Sequence, residues 1–338
     1  MVNEEEHVKY QELEDRVAQC EKINSLLIQS VQTLTDAYNS MMSDITAYQH
    51  NVKYELLDPR KKEKIYFPKI ADCEETLEQI INNHCSLCRF GDGEFALISG
   101  NLRAKFTQKY YPDLAQKLIE VLHSDEKNIL IGIADNYGNL EKYSESTIRE
   151  IRHYMTPQIR SQHMNLLQPN RIYHNAYITR PYIIYADTET EEPARRFAAL
   201  KKIWDHKNVI IIEGDKTRMG VGNDLLQNAA SVKRIIAPAV DAFEKYNDIL
   251  QCVMNQGRDF LFLIALGPVA TVMAYDLAKA GYWAIDIGHT DIEYEWFLKG
   301  TGKRECIPTK FNNEYPDGEK VQQINDDIYY SQIIADFS

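Results

Sequence analysis

The run FLFLIAL at 260–266 is apolar at every position and stops at Gly267-Pro268. A strand with one wet face alternates between apolar and polar residues. An unbroken apolar run of this length, bounded by turn residues, predicts a strand covered on both faces. That environment belongs to a parallel sheet between helical layers, and the rest of the chain agrees. Further strand-like runs fall at 86–90, 128–133, 209–212, 234–237 and 283–287, with helical patterns at 112–123, 145–155, 194–204, 242–255 and 269–280. The alternation predicts an α/β fold with a parallel sheet. In such sheets ligands bind beyond the carboxyl ends of the strands. Those places carry Gly91-Asp92-Gly93-Glu94, Ala134-Asp135-Asn136, DKTRMGVGND at 215–224, Gly267-Pro268 and HTDIE at 289–293.

The first 58 residues follow another rule. They contain no proline or glycine, and steps of four and three give Leu13, Val17, Cys20, Asn24, Leu27, Val31, Leu34, Tyr38, Met41, Ile45 and Tyr48. This is the a/d stripe of a coiled coil over about five heptads, with Asn24 at an a position. Residues 1–58 are therefore expected to form an oligomerisation helix, making a homodimer or higher homo-oligomer. The rival reading is a helix packed on its own globular part. Asp58-Pro59 ends the pattern, because the residue before proline avoids the helical region. Arg60-Lys61-Lys62 reads as a linker, and 59–338 as the globular domain.

The bulk composition removes several classes. A formal net charge of −12 leaves no general basic face for nucleic acid. No apolar run reaches the roughly 18 residues of a spanning helix. The acidic start MVNEEEHVKY is unlike a signal peptide, so a cytoplasmic protein is expected. The six cysteines do not form a disulfide scaffold, and the lone Cys85-x-x-Cys88 reads as a pair of inert strand cysteines. No P-loop, dinucleotide fingerprint, HExxH or GxSxG is present.

The strand-end residues suit a nucleotide diphosphate. Asp92 and Glu94 form an Asp-x-Glu that can hold Mn²⁺ or Mg²⁺, hard cations that take carboxylate, phosphate and water oxygens. Gly91 and Gly93 let phosphate come close to the backbone, although glycine and aspartate also suit a plain surface turn. Arg89 can pair with phosphate or hold a carboxylate. Gly267-Pro268 opens a helix whose free N–H groups attract anions. Asp135, Lys216, Arg218, Gly222, Asn223 and Asp224 complete the expected donor-binding set. For deprotonating an acceptor hydroxyl the candidates are His289, Asp291 and Glu293. Asp224, Asp291 and Glu293 equally suit helix caps or first-turn acids.

Taken together, RFGDGE (89–94), ITRPY (178–182), IEGDKTRMGVGNDL (212–225), IALGPVATVMAYDLA (264–278) and DIGHTDIEYEWF (286–297) resemble the bacterial GT-D-type glycosyltransferases. The resemblance runs from about residue 65 to 297 and keeps the blocks in family order. It implies a Rossmann-like GT-D fold and a UDP-sugar donor, with glucose the expected sugar. It also implies Mn²⁺ or Mg²⁺ on Asp92 and Glu94, and a glycan or glycoprotein acceptor at the cell surface. The N-terminal coiled coil lies outside it. Two rival functions use the same residues: a metal-dependent phosphohydrolase or nucleotidyltransferase, and a non-catalytic coiled-coil scaffold with a ligand-binding domain.

Overall fold

In the computed structural model, which describes residues 4–57, 67–102, 107–315 and 318–338, the expected α/β layering is present. In chain order the elements begin with α1 (Glu4–Glu55), β1 (Lys69–Ile70), α2 (Cys73–Asn83), β2 (Ser86–Phe90), α3 (Asp92–Ser99), α4 (Pro112–Leu122) and β3 (Ile129–Ile133). They continue with α5 (Glu145–Tyr154), α6 (Pro157–Leu166), β4 (Ile172–Asn175), α7 (Glu192–Lys201), β5 (Asn208–Gly214), β6 (Ser231–Ala237) and α8 (Tyr246–Met254). The last are β7 (Leu261–Ala265), α9 (Pro268–Lys279), β8 (Trp283–Asp286), α10 (Thr290–Lys299), α11 (Asp327–Gln332) and β9 (Ile333–Asp336).

Among the described residues nine strands form one sheet in the order β1-β4-β3-β2-β8-β7-β5-β6-β9, every pair parallel. The chain builds outward from β2 to β4, crosses to β5 and β6, and returns to fill the centre with β7 and β8. FLFLIAL supplies β7, whose Leu261, Phe262, Leu263 and Ile264 are buried. The helix α9 is apolar almost all round, which fits a helix enclosed by its neighbours rather than a surface one. Cys85 and Cys88 are buried at β2, and burial raises the pKa of both thiols, as inert strand cysteines require.

The short outer strands β1, β4 and β9 were not legible in the sequence. Two to four residues give too little periodicity, and they sit at or near the sheet edges. The expected helix at 242–255 begins as a 3-10 turn, Ala242–Lys245, before α8. Glycines 91 and 93 do not make a free-standing turn: Gly91 is the N-cap of α3, and Asp92 is its first residue.

Helix α1 runs for 52 residues. Its last turns pack on α5, burying Ala47 and Asn51. Asn51 Nδ2 donates to the Arg152 carbonyl (3.0 Å), and Asn51 Oδ1 accepts from Arg160 Nη2 (2.7 Å). Arg149 Nε reaches Asp44 (2.7 Å), and Arg152 makes two bonds to Glu55 (2.6 and 2.8 Å). Packing on its own domain is therefore real for the final turns. The expected stop at Asp58-Pro59 and the linker Arg60–Lys62 lie outside the described residues. No described helix is long and apolar enough to cross a membrane.

Candidate active site

The ends of β2, β3, β5, β6, β7 and β8 open into one cavity of about 920 Å³. Three helices start at its wall, with N-caps Gly91 (α3), Gly267 (α9) and His289 (α10) all lining it. Gly267 and His289 make no side-chain cap bond; Pro268 has no N–H, Ala270 N–H donates to the Gly267 carbonyl (2.9 Å) and Thr290 N–H to that of Ile287 (3.4 Å), so the amides these helix starts offer are those of Val269, Asp291 and Ile292. These amides, with three helix N-termini at one wall, make it attractive to anions. Gly267 has φ +54° and ψ −141°, a conformation reserved for glycine, while a Cβ there would meet nothing within 4 Å. It is glycine for its backbone, not for space.

Asp92 is exposed at the cavity, and Glu94 is half-buried behind it. Glu94 Oε2 accepts from the Gly91 N–H (2.7 Å), bracing the turn that presents Asp92. Burial pushes the Glu94 carboxyl up to about 7. Arg89 crosses from β2 to β8, donating to Asp286 Oδ1 through Nη2 (2.6 Å) and to the Asp286 carbonyl (2.9 Å). It passes over Gly288, where any Cβ would collide with the guanidinium. Of its two expected roles, Arg89 fills the second, holding a carboxylate.

Among the described residues no group of three or more His, Cys, Asp or Glu is arranged to hold a metal. Asp92 and Glu94 alone fit a divalent cation whose other ligands are phosphate and water oxygens, not one caged by protein. A cation beside Glu94 would also offset the cost of ionising that buried carboxyl.

The structure divides the expected site residues. Arg89, Gly91, Asp92, Gly93, Glu94, Gly267, Pro268, His289 and Asp291 line the cavity. Asp135, Lys216, Arg218, Gly222, Asn223, Asp224 and Glu293 do not. Asp135 pairs with Lys142, and Lys216 with Asp215. Asp224 is held by Lys201 and the Tyr294 hydroxyl. Arg218 Nη1 donates to the carbonyls of Thr309 (2.8 Å) and Gln322 (2.7 Å), so it secures the C-terminal segment. Asn223 Nδ2 donates to Asp291 and Glu295.

The two acids expected as bases are committed elsewhere. Asp291 is 4% exposed and accepts from Lys310 Nζ (2.7 Å), Gly220 N (2.8 Å) and Asn223 Nδ2 (3.0 Å). Glu293 is fully buried, accepts from the Tyr182 and Ile183 N–H groups (3.1 and 2.8 Å), and anchors the ITRPY turn. Burial pushes its carboxyl up to about 7. His289 is the remaining candidate. Its Nδ1 faces Arg180 Nη2 (3.3 Å), and its Nε2 faces Asn313 Oδ1 (3.1 Å). Arginine only donates, so Nδ1 must accept and Nε2 carries the proton. Desolvation by the cavity wall lowers its pKa, favouring the neutral ring.

The lining residues to which the sequence reading gave no role include Arg180, Arg304, Asn313 and Glu314. Glu314 pairs with Arg180 and Arg304, and these guanidinium groups, with desolvation opposing, hold its carboxyl well below the ordinary range. The polar segment after Gly300 gave no periodic signal, yet it closes one side of the cavity through Arg304, Phe311, Asn313 and Glu314.

Residues 87–315 match the family described as the glycosyltransferase GT-D fold. The chain belongs to the GT-D glycosyltransferase family. It is 35% identical over 273 residues to the probable glycosyl transferase Gly of Streptococcus gordonii, covering 80% of this chain and 39% of that protein. It is 30% identical over 276 residues to the glycosyltransferase GlyD of Streptococcus pneumoniae serotype 4, covering 79% and 32%. The chain thus spans well under half the length of these curated relatives. A solved structure described as a new glycosyltransferase from Streptococcus sanguinis matches at TM-score 0.74 and 33% identity, over 80% of this chain and all of that one. Another, described as domain of unknown function 1792 with a distinct glycosyltransferase fold, gives TM-score 0.74 and 33% identity over 80% and 96%. The GT-D match encloses every residue lining the cavity, from Arg89 to Glu314, and leaves α1 outside.

Proposed function

We propose that this GT-D protein transfers a hexose, glucose first among them, from a UDP-sugar to a hydroxyl of a growing glycan on a surface glycoprotein or polysaccharide. The observation that carries the reading is the convergence of the α3, α9 and α10 N-termini beside Asp92 and Glu94. The amides of α9 and α10 receive the diphosphate. Asp92 and Glu94 hold Mn²⁺ or Mg²⁺, which when bound supplies Lewis-acid stabilisation of the departing UDP. Arg89 fixes β2 against β8, so that Gly91 and Gly288 keep their places at the site. His289, neutral and at the cavity wall, takes the acceptor proton on Nδ1, giving up the long 3.3 Å bond from Arg180 to do so, whereas Asp291 and Glu293 are each held by several short bonds. A nucleotide-sugar donor places the reaction in the cytoplasm.

The test is UDP release from UDP-glucose and other UDP-hexoses, with Mn²⁺ or with chelator. Turnover of a UDP-hexose that needs the cation and falls in Asp92→Asn is the expected result. Turnover of GDP- or CMP-sugars alone, or undiminished turnover in chelator, would overturn the reading.

A further inference from the structure

Two stripes run along α1. Ser40, Asp44, Ala47, Asn51 and Tyr54, spaced four and three apart, face α5 and α6. The a/d stripe lies about a quarter of the way round the helix, at 3.6 residues per turn. The protein's own domain leaves it open: Leu13, Val17, Leu27, Val31, Leu34, Tyr38 and Met41 are all exposed, Leu34 at 70%. Ile23 and Ile28 widen it at the flanking g and e positions, Ile28 being 71% exposed. A continuous apolar patch of this size on a soluble chain marks an interaction surface.

We infer that the occupant of this stripe is the same stripe of a second copy, in a parallel, in-register two-stranded coiled coil spanning residues 10–45. The charges at e and g choose the partner and its direction. With Leu13 at d and Val17 at a, Lys9 and Arg16 fall at g, and Glu14 and Glu21 at e. In a parallel pair each g residue meets the e residue five positions on in the partner. Lys9 then faces Glu14 of the second copy, and Arg16 faces Glu21, so both N-terminal contacts are attractive. An in-register pair also sets Asn24 against Asn24 at an a layer, the arrangement that favours two strands and a fixed register. An antiparallel pair would lose these contacts. Because the last turns of α1 are fixed to α5, the pairing carries both catalytic domains at the same end of the dimer.

The chain carries its own reporter of register. Cys20 is an exposed free cysteine at a d position, so the parallel dimer sets it opposite its counterpart. The experiment uses the full chain. Sedimentation equilibrium should give twice the 39.2 kDa monomer mass. Copper-phenanthroline should convert the dimer to a species linked through Cys20, as copper(II) takes the two thiol electrons and solvent the two protons. Cys20→Ser should abolish that band. Leu27→Asp with Leu34→Asp should give a monomer whose main thermal transition is kept, since neither side chain touches the globular part. A monomeric wild type would overturn the inference. So would a dimer that does not cross-link at Cys20, or one that survives the double aspartate substitution.

Discussion

Lys310 Nζ lies 2.7 Å from Asp291 Oδ2, with both side chains almost wholly buried, and this pair joins the C-terminal segment to the first turn of α10. Asp291 in turn holds Gly220 and Asn223, so one carboxylate ties three parts of the site wall together. Breaking one partner of a buried pair typically costs about 3–5 kcal/mol, because the other charge stays buried. Lys310→Met should therefore lower the thermal midpoint sharply and weaken UDP binding. Adding Asp291→Asn, which removes the more buried of the two stranded carboxylates (the other is Glu295, 2.8 Å from Lys310 Nζ) but keeps an acceptor, should restore part of the stability. Calorimetric melting of the three variants checks this; a double variant as unstable as Lys310→Met would count against the ion-pair account.

Glu293 has a native pKa of about 7 against an ordinary value of 4.5, the first cause being burial. Between those values the folded chain holds a proton that the unfolded chain has lost. The contribution to stability is complete below about pH 4.5 and declines as pH rises through 7. Glu293→Gln keeps an oxygen for the Tyr182 and Ile183 amides but cannot ionise. It should flatten this part of the stability–pH curve and gain on the wild type at pH 8. Denaturant titrations at pH 5, 7 and 8 would show it, and parallel curves for the two proteins would contradict it.

Asn51 ties α1 to both α5 and α6, and α5 presents Thr147, Glu150, Ile151, His153 and Tyr154 to the cavity. Asn51→Ala takes away the acceptor of the buried Arg160 Nε and Nη2, leaving its Nη1 bond to the Tyr137 carbonyl, a loss of about 1–3 kcal/mol for an unmet buried group. Deleting residues 1–36 should leave the thermal midpoint of the globular part nearly unchanged. Deleting 1–55 should lower it and reduce activity. Equal midpoints for the two truncations would show that the last turns of α1 do not support the wall.

His289→Gln should lower transfer about 10²–10⁴-fold, the usual loss for a general base, while UDP binding stays within a few-fold of wild type. The split between turnover and UDP affinity is the readout. Loss of binding in step with turnover would instead give His289 a donor-holding role.

Much of this architecture was legible because its signals are long. The unbroken FLFLIAL run, the repeated strand–helix alternation and the heptads of α1 each span many residues. The place of the Asp-x-Glu at a strand end was legible from its neighbours: the apolar β2 stops just before it, and the motif opens α3 at the cavity wall. The committed acids were not legible. HTDIE shows three titratable groups, but nothing local says that Asp291 meets Lys310 nineteen residues on, or that Glu293 caps the amides of ITRPY more than a hundred residues earlier. Arg218 misled for the same reason, since its acceptors are carbonyls of a segment without periodicity. A long-range contact leaves no mark on spacing, and buried charge pairs are long-range here.

The most direct test of the donor site is calorimetric titration of UDP into the wild type and Asp92→Asn, each with Mn²⁺ and with chelator. Asp92 is exposed, so the variant should fold normally. The account predicts that UDP binds the wild type tightly only with Mn²⁺, and that Asp92→Asn loses the metal-dependent part. Equal UDP affinity in wild type and variant, with or without the cation, would contradict a donor site at the convergence of α3, α9 and α10.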